Sequence, residues 1–274
     1  MNLREALKNK LSTKELLLLP RGYDIIGNIA IIEVPKELAK KEKVIAGLLM
    51  KEHPNIKTVL KKAGRIKGRL RTRKLKHVLG IKTKETIYAE NNCRMKLNIE
   101  TCYFSPRIAN ERQEIAKQIK KNDKVLVLFS GVGPFGLVIA KNSKAKEVLM
   151  IELNREATKY AQENIRINKL SNIQALQGDV KKVIPRLKEK FDKIVMARAQ
   201  LKETFLKDAF KVAKKGTIIY FHDFLKEDSI PDEAIKKIQR AAKLAKKRIK
   251  ILAWKKCSEI APYKFRIRID FQVI

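Results

Sequence analysis

Gly131, Gly133 and Gly136 stand in the order Gly-Val-Gly-Pro-Phe-Gly, and Glu152 closes the next apolar run. A glycine-rich turn after a strand lets a ligand approach the backbone, and a carboxylate ending the following strand accepts hydrogen bonds from a ribose. These residue types at this spacing predict a nucleoside cofactor. Three readings of the turn are open: a nicotinamide dinucleotide site, an S-adenosylmethionine site, and a tight strand-to-helix turn without a ligand. The methyl donor is favoured on three grounds. The turn lies in mid-chain behind a basic segment, not at the start of a dinucleotide domain. Pro134 gives the helix a rigid first turn but leaves one N–H fewer for a pyrophosphate. Finally, QGDV at Gln177–Val180 puts Asp179 after a third strand, where methyltransferases hold an acid near the adenine amino group.

The elements that must carry these residues alternate between helix and strand from about Ser105 onward. The pattern predicts a helix over 107–120, strand 124–129, helix 134–142, strand 147–152 and helix 155–168. It continues with strands 173–176 and 191–196, helix 201–213, strand 216–221, helix 232–247 and strands 249–256 and 264–273. Strands separated by helices wind into a parallel sheet covered on both faces. The last two strands have no helix between them and are expected as an antiparallel edge pair. The fold class is therefore α/β, a Rossmann-like sheet of the class I methyltransferase kind. Ahead of it, shorter helical and strand patterns form a small α+β module, in which GRIKGRLRTRKLKHVLG (64–80) alternates basic and apolar residues as a half-buried cationic strand would. The domain reading is residues 1–100 as a basic RNA-binding module and 101–274 as the cofactor-binding domain.

Charge names the partner. The 274 residues hold 63 Lys+Arg against 29 Asp+Glu, a net charge of +34, spread along the whole length. Lys and Glu enrichment together would suit thermal adaptation, but Glu does not keep pace with Lys here. Such an excess repels itself unless a polyanion is met in use, so a nucleic acid is expected. Hydrophobic content of 45% still allows a folded core. Three cysteines without CxxC spacing and three scattered histidines suggest neither a metal site nor a disulfide framework. No apolar run is long enough to span a membrane and the first residues lack a signal-peptide core, which points to a cytoplasmic protein.

YFSPRIANER (103–112) together with FSGVGPF (129–135) resembles the archaeal and eukaryotic tRNA guanine-37 N1-methyltransferases, and the resemblance covers nearly the whole chain. The wybutosine-pathway aminocarboxypropyl transferases share the scaffold and are the nearest alternative. The resemblance implies tRNA as partner, S-adenosylmethionine as cofactor, a monomer, and methylation of N1 beside the anticodon. It implies Glu111 as the base that removes the N1 proton, although an acid there would also suit a helix N-terminus. Arg71 would stabilise charge on O6 or bind phosphate, and Tyr103 would stack on the target base or pack in the core. The cofactor pocket it implies comprises Tyr103, Phe129, Gly131, Gly133, Pro134, Glu152, Leu153, Asp179 and Val180. Arg69, Arg73, Arg107 and Arg198 would contact RNA, with Arg107 and Arg112 holding phosphate or a neighbouring carboxylate.

Two positions depart from the family pattern. Val127 stands where an Asp is usual, and Ala197-Arg198-Ala199 replaces Asn-Leu-Pro, whose Asn lies near the target base. Loss of that amide costs on the order of 1–3 kcal/mol if it held substrate, so a catalytically silent tRNA-binding relative is a further alternative. Many relatives also carry an N-terminal domain that grips the tRNA elbow, and positive charge is expected to replace part of that grip. The log of tRNA affinity should then fall steeply with log salt, and a shallow slope in a filter-binding titration would sink that expectation.

Overall fold

Apolar runs bounded by turns account for the strands, and the helices fall between them. The computed structural model describes residues 7–8, 11–20, 22–64, 68–197 and 203–274. Two units emerge, one of Met1–Ala89 with Lys96–Phe104 and one of Glu90–Met95 with Ser105–Ile274.

In the smaller unit, β1 (Asp24–Ile26), β2 (Ile29–Ile32), β3 (Thr58–Lys62) and β4 (Leu75–Gly80) form one sheet in chain order. The parallel pair β2–β3 is joined through the helix Glu42–Glu52, whose Ile45 and Leu49 pack with Ile32, Leu38, Val59 and Val78. Residues 64–80 do not form one strand. Among the described residues of this stretch the strand is Leu75–Gly80; Arg69 and Leu70 lie in a turn, and Arg71 has a left-handed φ of 56°. Leu70 is exposed, so the basic–apolar alternation has no covered face to hold a strand there. β5 (Glu85–Glu90) and β6 (Cys93–Asn98) make a separate hairpin turned by Asn91 and Asn92, both at positive φ.

The larger unit is a seven-stranded sheet in the order β12-β13-β11-β10-β7-β8-β9. Its strands are β7 (Lys124–Leu128), β8 (Glu147–Glu152), β9 (Ile173–Gln177), β10 (Phe191–Met196), β11 (Ala213–Lys226), β12 (Ile249–Ala261) and β13 (Lys264–Val273). Pairing is parallel from β11 through β9, and β13 runs antiparallel to both β11 and β12. The helices Pro134–Asn142 and Arg155–Ile167 fall where the periodicity places them, to within a residue. β11 begins earlier than expected, at Ala213, because its register shifts across the Lys-Lys-Gly segment that reads as a loop. Gly136 is needed for close packing: a Cβ there would lie 2.3 Å from Met150 Sδ on β8.

Candidate active site

At the carboxyl ends of β7 and β8 the chain builds a cradle of backbone groups. Phe129, Gly131 and Gly133 all take positive φ, which bends the chain sharply from strand into the helix Pro134–Asn142. The N–H of Gly131 donates to Glu152 Oε2 and that of Asn154 to Oε1, each at 2.8 Å, so both carboxylate oxygens are oriented while lone pairs remain. Asn164 reaches from its helix and donates to the Val132 carbonyl at 3.1 Å, bracing the turn. Asp179 caps the short helix Val180–Val183. Leu153 is half-buried, Val180 sits in the main core, and Phe129 meets Phe205 edge to face at 5.1 Å between centroids. Within the turn the Ser130 hydroxyl is buried without a hydrogen-bond partner. An orphaned hydroxyl beside an oriented carboxylate is a donor set that suits a hydroxyl-bearing nucleoside. Val127 is buried inside β7, between Met150 and Val195.

In the smaller unit the Arg71 guanidinium lies over the Tyr103 ring, 4.4 Å from its centroid. The two residues expected to touch the base therefore brace one another through a cation–π contact. Arg69 is exposed, and Arg73 is half-buried with an Nε that has no hydrogen-bond partner. In the larger unit Arg107 is exposed in the turn Pro106–Ile108. Arg112 is buried and engages the Glu90 carboxylate, the carboxylate alternative for that residue. Arg198 lies outside the described residues.

Glu111, in the first turn of the helix Ala109–Lys117, is buried at 4% exposure against a polar row of the sheet. The antiparallel register sets Lys255 of β12, Arg268 of β13 and His222 of β11 side by side. Arg268 Nη1 donates to Glu111 Oε1 at 2.6 Å, His222 Nε2 lies 3.3 Å from the same oxygen, and the Cys257 thiol donates to Oε2 at 3.1 Å. Arg268 also grips Asp270 in bidentate fashion, through Nε at 2.7 Å and Nη2 at 2.9 Å. Burial alone would raise the Glu111 carboxyl, but a proton on His222 Nε2, the Arg268 guanidinium and the Cys257 thiol together more than offset it and pull it below the usual carboxylate range; the His222 share is present only while that nitrogen carries hydrogen. Burial pushes the Cys257 thiol up, and the neighbouring carboxylate adds to the effect. Donor atoms of Glu111, His222 and Cys257 come within 4.8 Å of one another. The Arg268 guanidinium donates to one oxygen of Glu111 and the Cys257 thiol to the other, so both carboxylate oxygens are held by donors.

Residues 86–252 match the TRM5/TYW2 methyltransferase domain, more than half of the chain. The chain belongs to the TRM5/TYW2 family. Residues 3–83 match the TYW2 N-terminal domain. Among relatives, the tRNA (guanine(37)-N(1))-methyltransferase Trm5b of Pyrococcus abyssi is 36% identical over 255 residues, 93% of this chain and 76% of that protein. The tRNA(Phe) (4-demethylwyosine(37)-C(7)) aminocarboxypropyltransferase of Pyrococcus horikoshii is 30% identical, covering 99% of this chain and 96% of that one. The crystal structure of P. horikoshii TYW2 in complex with MeSAdo superposes with a TM-score of 0.82 at 27% identity, over 99% of this chain and 98% of that chain.

The class I methyltransferase sheet expected from the strand order is thus the fold of this TRM5/TYW2 member. What sequence reasoning missed lies on β11 and β13: His222, Arg268 and Asp270 were assigned no role. A signal for them exists. In FRIRIDF (265–271) every second residue is charged, yet these residues are at most 5% exposed, and a strand covered on both faces has no reason to carry Arg, Arg and Asp unless they are partnered. At the end of β10, the Ala197 carbonyl accepts a hydrogen bond from Arg266 Nη2, so backbone and arginine meet where the family pattern has an amide side chain.

Proposed function

We propose that this chain transfers the methyl group of S-adenosylmethionine to N1 of guanosine 37 in tRNA. The observation that carries the reading is the buried Glu111 carboxylate, which Arg268 keeps ionised at the head of the helix following YFSPR. N1 of guanine holds a proton at neutral pH, so attack from N1 needs a fixed acceptor for that proton. The fragment 129–135 and Glu152 would hold the cofactor, with the Glu152 oxygens taking the ribose hydroxyls and Asp179 facing the adenine. The cofactor supplies an electrophilic methyl carbon on a sulfonium. Glu111 takes the N1 proton, Arg71 offsets the charge that builds on O6, and Tyr103 packs on the base. Arg69, Arg73 and Arg107 would hold phosphates. The high positive charge suits an RNA partner, and among the described residues no helix is long and apolar enough to cross a membrane.

A second reading, aminocarboxypropyl transfer, is favoured by two observations: the match of residues 3–83 to the TYW2 N-terminal domain, and Ala197 in place of the amide. Both reactions attack a carbon bonded to the sulfonium, so the outcome depends on which carbon faces the substrate. Parallel incubations with labelled S-adenosylmethionine and tRNA carrying either G37 or 4-demethylwyosine at position 37, the base in the name of the P. horikoshii relative, followed by nucleoside analysis, separate them. N1-methylguanosine supports the proposal, an aminocarboxypropyl adduct supports the second reading, and cofactor binding without product leaves only tRNA binding.

The cofactor assignment has its own test. Glu152→Ala removes both ribose acceptors and leaves the N–H groups of Gly131 and Asn154 unpaired, so affinity for S-adenosylmethionine should weaken by roughly 10- to 100-fold, the equivalent of one or two charged hydrogen bonds. Calorimetric titration reads this directly, and an unchanged Kd would remove Glu152 from the site.

A further inference from the structure

Between the carboxylate of Glu111 and the ring of His222 there is room for one proton, and the backbone decides where it can sit. His222 is 1% exposed, and its Nδ1 lies 3.1 Å from the carbonyl oxygen of Met196 on β10. A carbonyl only accepts, so Nδ1 carries hydrogen whatever the charge of the ring. The neutral ring therefore turns a bare Nε2 lone pair toward Glu111 Oε1 at 3.3 Å. Two acceptors face each other there, and the contact becomes a hydrogen bond only when a proton enters it.

The surroundings set the resting state. Burial pushes the imidazole below its usual value; Glu111 on its helix favours a charged ring, while Arg266 and Arg268 on β13 oppose one. On β12, Cys257 and Lys255 address Glu111, and Asp270 is taken up by Arg268. Phe135, from the helix Pro134–Asn142, lies beside the ring at 5.7 Å between centroids. His222 at rest is neutral, with Glu111 ionised.

We propose that His222 receives the guanine proton from Glu111, so that the pair works as a two-step relay. The inference rests on Glu111 being the base of the proposed reaction. N1 gives up its proton as it gains the methyl group, and the N–H bonding pair stays on the guanine. The proton passes to a Glu111 oxygen and then from Oε1 to His222 Nε2. The positive charge that enters with the sulfonium leaves on the imidazolium, so the balance closes: neutral methylated base, neutral thioether, ionised Glu111, protonated His222. The relay also accounts for an oddity of the site. With the Arg268 guanidinium on Oε1 and the Cys257 thiol donating to Oε2, Glu111 retains a proton poorly, and a bare imidazole nitrogen at 3.3 Å gives that proton a better resting place. His222 is thus a positioning residue that acts through Glu111 without touching the substrate.

The test combines two readouts on the full chain. In nitrogen-15 NMR of the resting protein at pH 7, His222 should be neutral with hydrogen on Nδ1 and none on Nε2; an imidazolium, or hydrogen on Nε2, overturns the relay whatever the enzyme does. Single-turnover methylation of G37 tRNA is the second readout, with His222→Gln, which reaches toward Glu111 but cannot be protonated. Its rate at pH 7 should fall by about 100-fold with unchanged affinity for S-adenosylmethionine, and should then climb about tenfold per pH unit as hydroxide replaces the lost acceptor, while the wild-type profile stays flat. A rate within about threefold of wild type and a flat profile would reject the proposal. If the wild type forms no N1-methylguanosine, the proposed function fails instead, and NMR still reports on the proton between Glu111 and His222.

Discussion

Glu111→Gln should lower the single-turnover rate of N1 methylation at pH 7 by about 10²- to 10⁴-fold, the range that a positioned general base contributes. Glutamine keeps the shape of the side chain and one acceptor oxygen, which can stay on Arg268 Nη1, but its amide cannot take a proton from N1. Its NH₂ group would meet the Cys257 thiol, whose donor it cannot satisfy. Some loss of stability is therefore expected, and binding of S-adenosylmethionine must be measured beside the rate to show that the cofactor site is intact. A rate within about threefold of wild type would place the base elsewhere. The same environment makes a prediction about pH. The folded-state pKa of Glu111 is depressed below its unfolded value of about 4.3, so its stabilising contribution is fully present above that value and is lost only as pH falls through the folded one. Glu111 stays ionised across the range in which rates are measured. No acid limb between about pH 5 and 8 should come from it, so a limb that is absent from the wild type and appears in His222→Gln reports loss of the imidazole acceptor and not titration of Glu111.

Legibility in the sequence followed how local the determining physics was. The turn at 129–136 and strands β7, β8 and β10 were read almost to the residue, because an unbroken apolar run and a glycine turn are decided by neighbours in the chain. The antiparallel pair at the carboxyl end was legible for the same reason. Arg71 was expected on a strand and lies in a turn, since alternation shows a strand only where something covers one face, and Leu70 shows that nothing does. The buried ionic row was illegible as a site because its members come from four elements. Glu111 is separated by more than a hundred residues from His222, Cys257 and Arg268, and only the register of β11, β13 and β12 brings those three together. The local structure made by one turn of chain could be read; the side-chain row assembled by sheet register could not.

Arg268→Met should be the most damaging single change to stability, by about 3–5 kcal/mol, because it leaves two buried carboxylates without their shared counter-charge. In a domain of this size that corresponds to a Tm lower by roughly 10 °C. Arg268 donates to Glu111 and, through two nitrogens, to Asp270, and all three are at most 5% exposed. Arg268→Lys should recover only part of the loss, since a point charge cannot serve both carboxylates in the geometry of a planar fork. The pH dependence gives the prediction its sign. Without the guanidinium, burial dominates both acids and their folded pKa values rise above the unfolded ones; Asp270 is already raised by burial with Arg268 in place. A raised acid destabilises most at high pH, and the deficit shrinks as pH falls through the folded value and the folded state takes up protons that the unfolded chain does not. The gap in Tm between wild type and Arg268→Met should therefore be larger at pH 8 than at pH 5. Activity should move the opposite way, because a protonated Glu111 cannot accept from N1 and ionises again only as pH rises. Melting curves and single-turnover rates on the same pH series read both, and a deficit below about 1 kcal/mol, or one independent of pH, would mean that the Arg268 row does not hold the charge of Glu111.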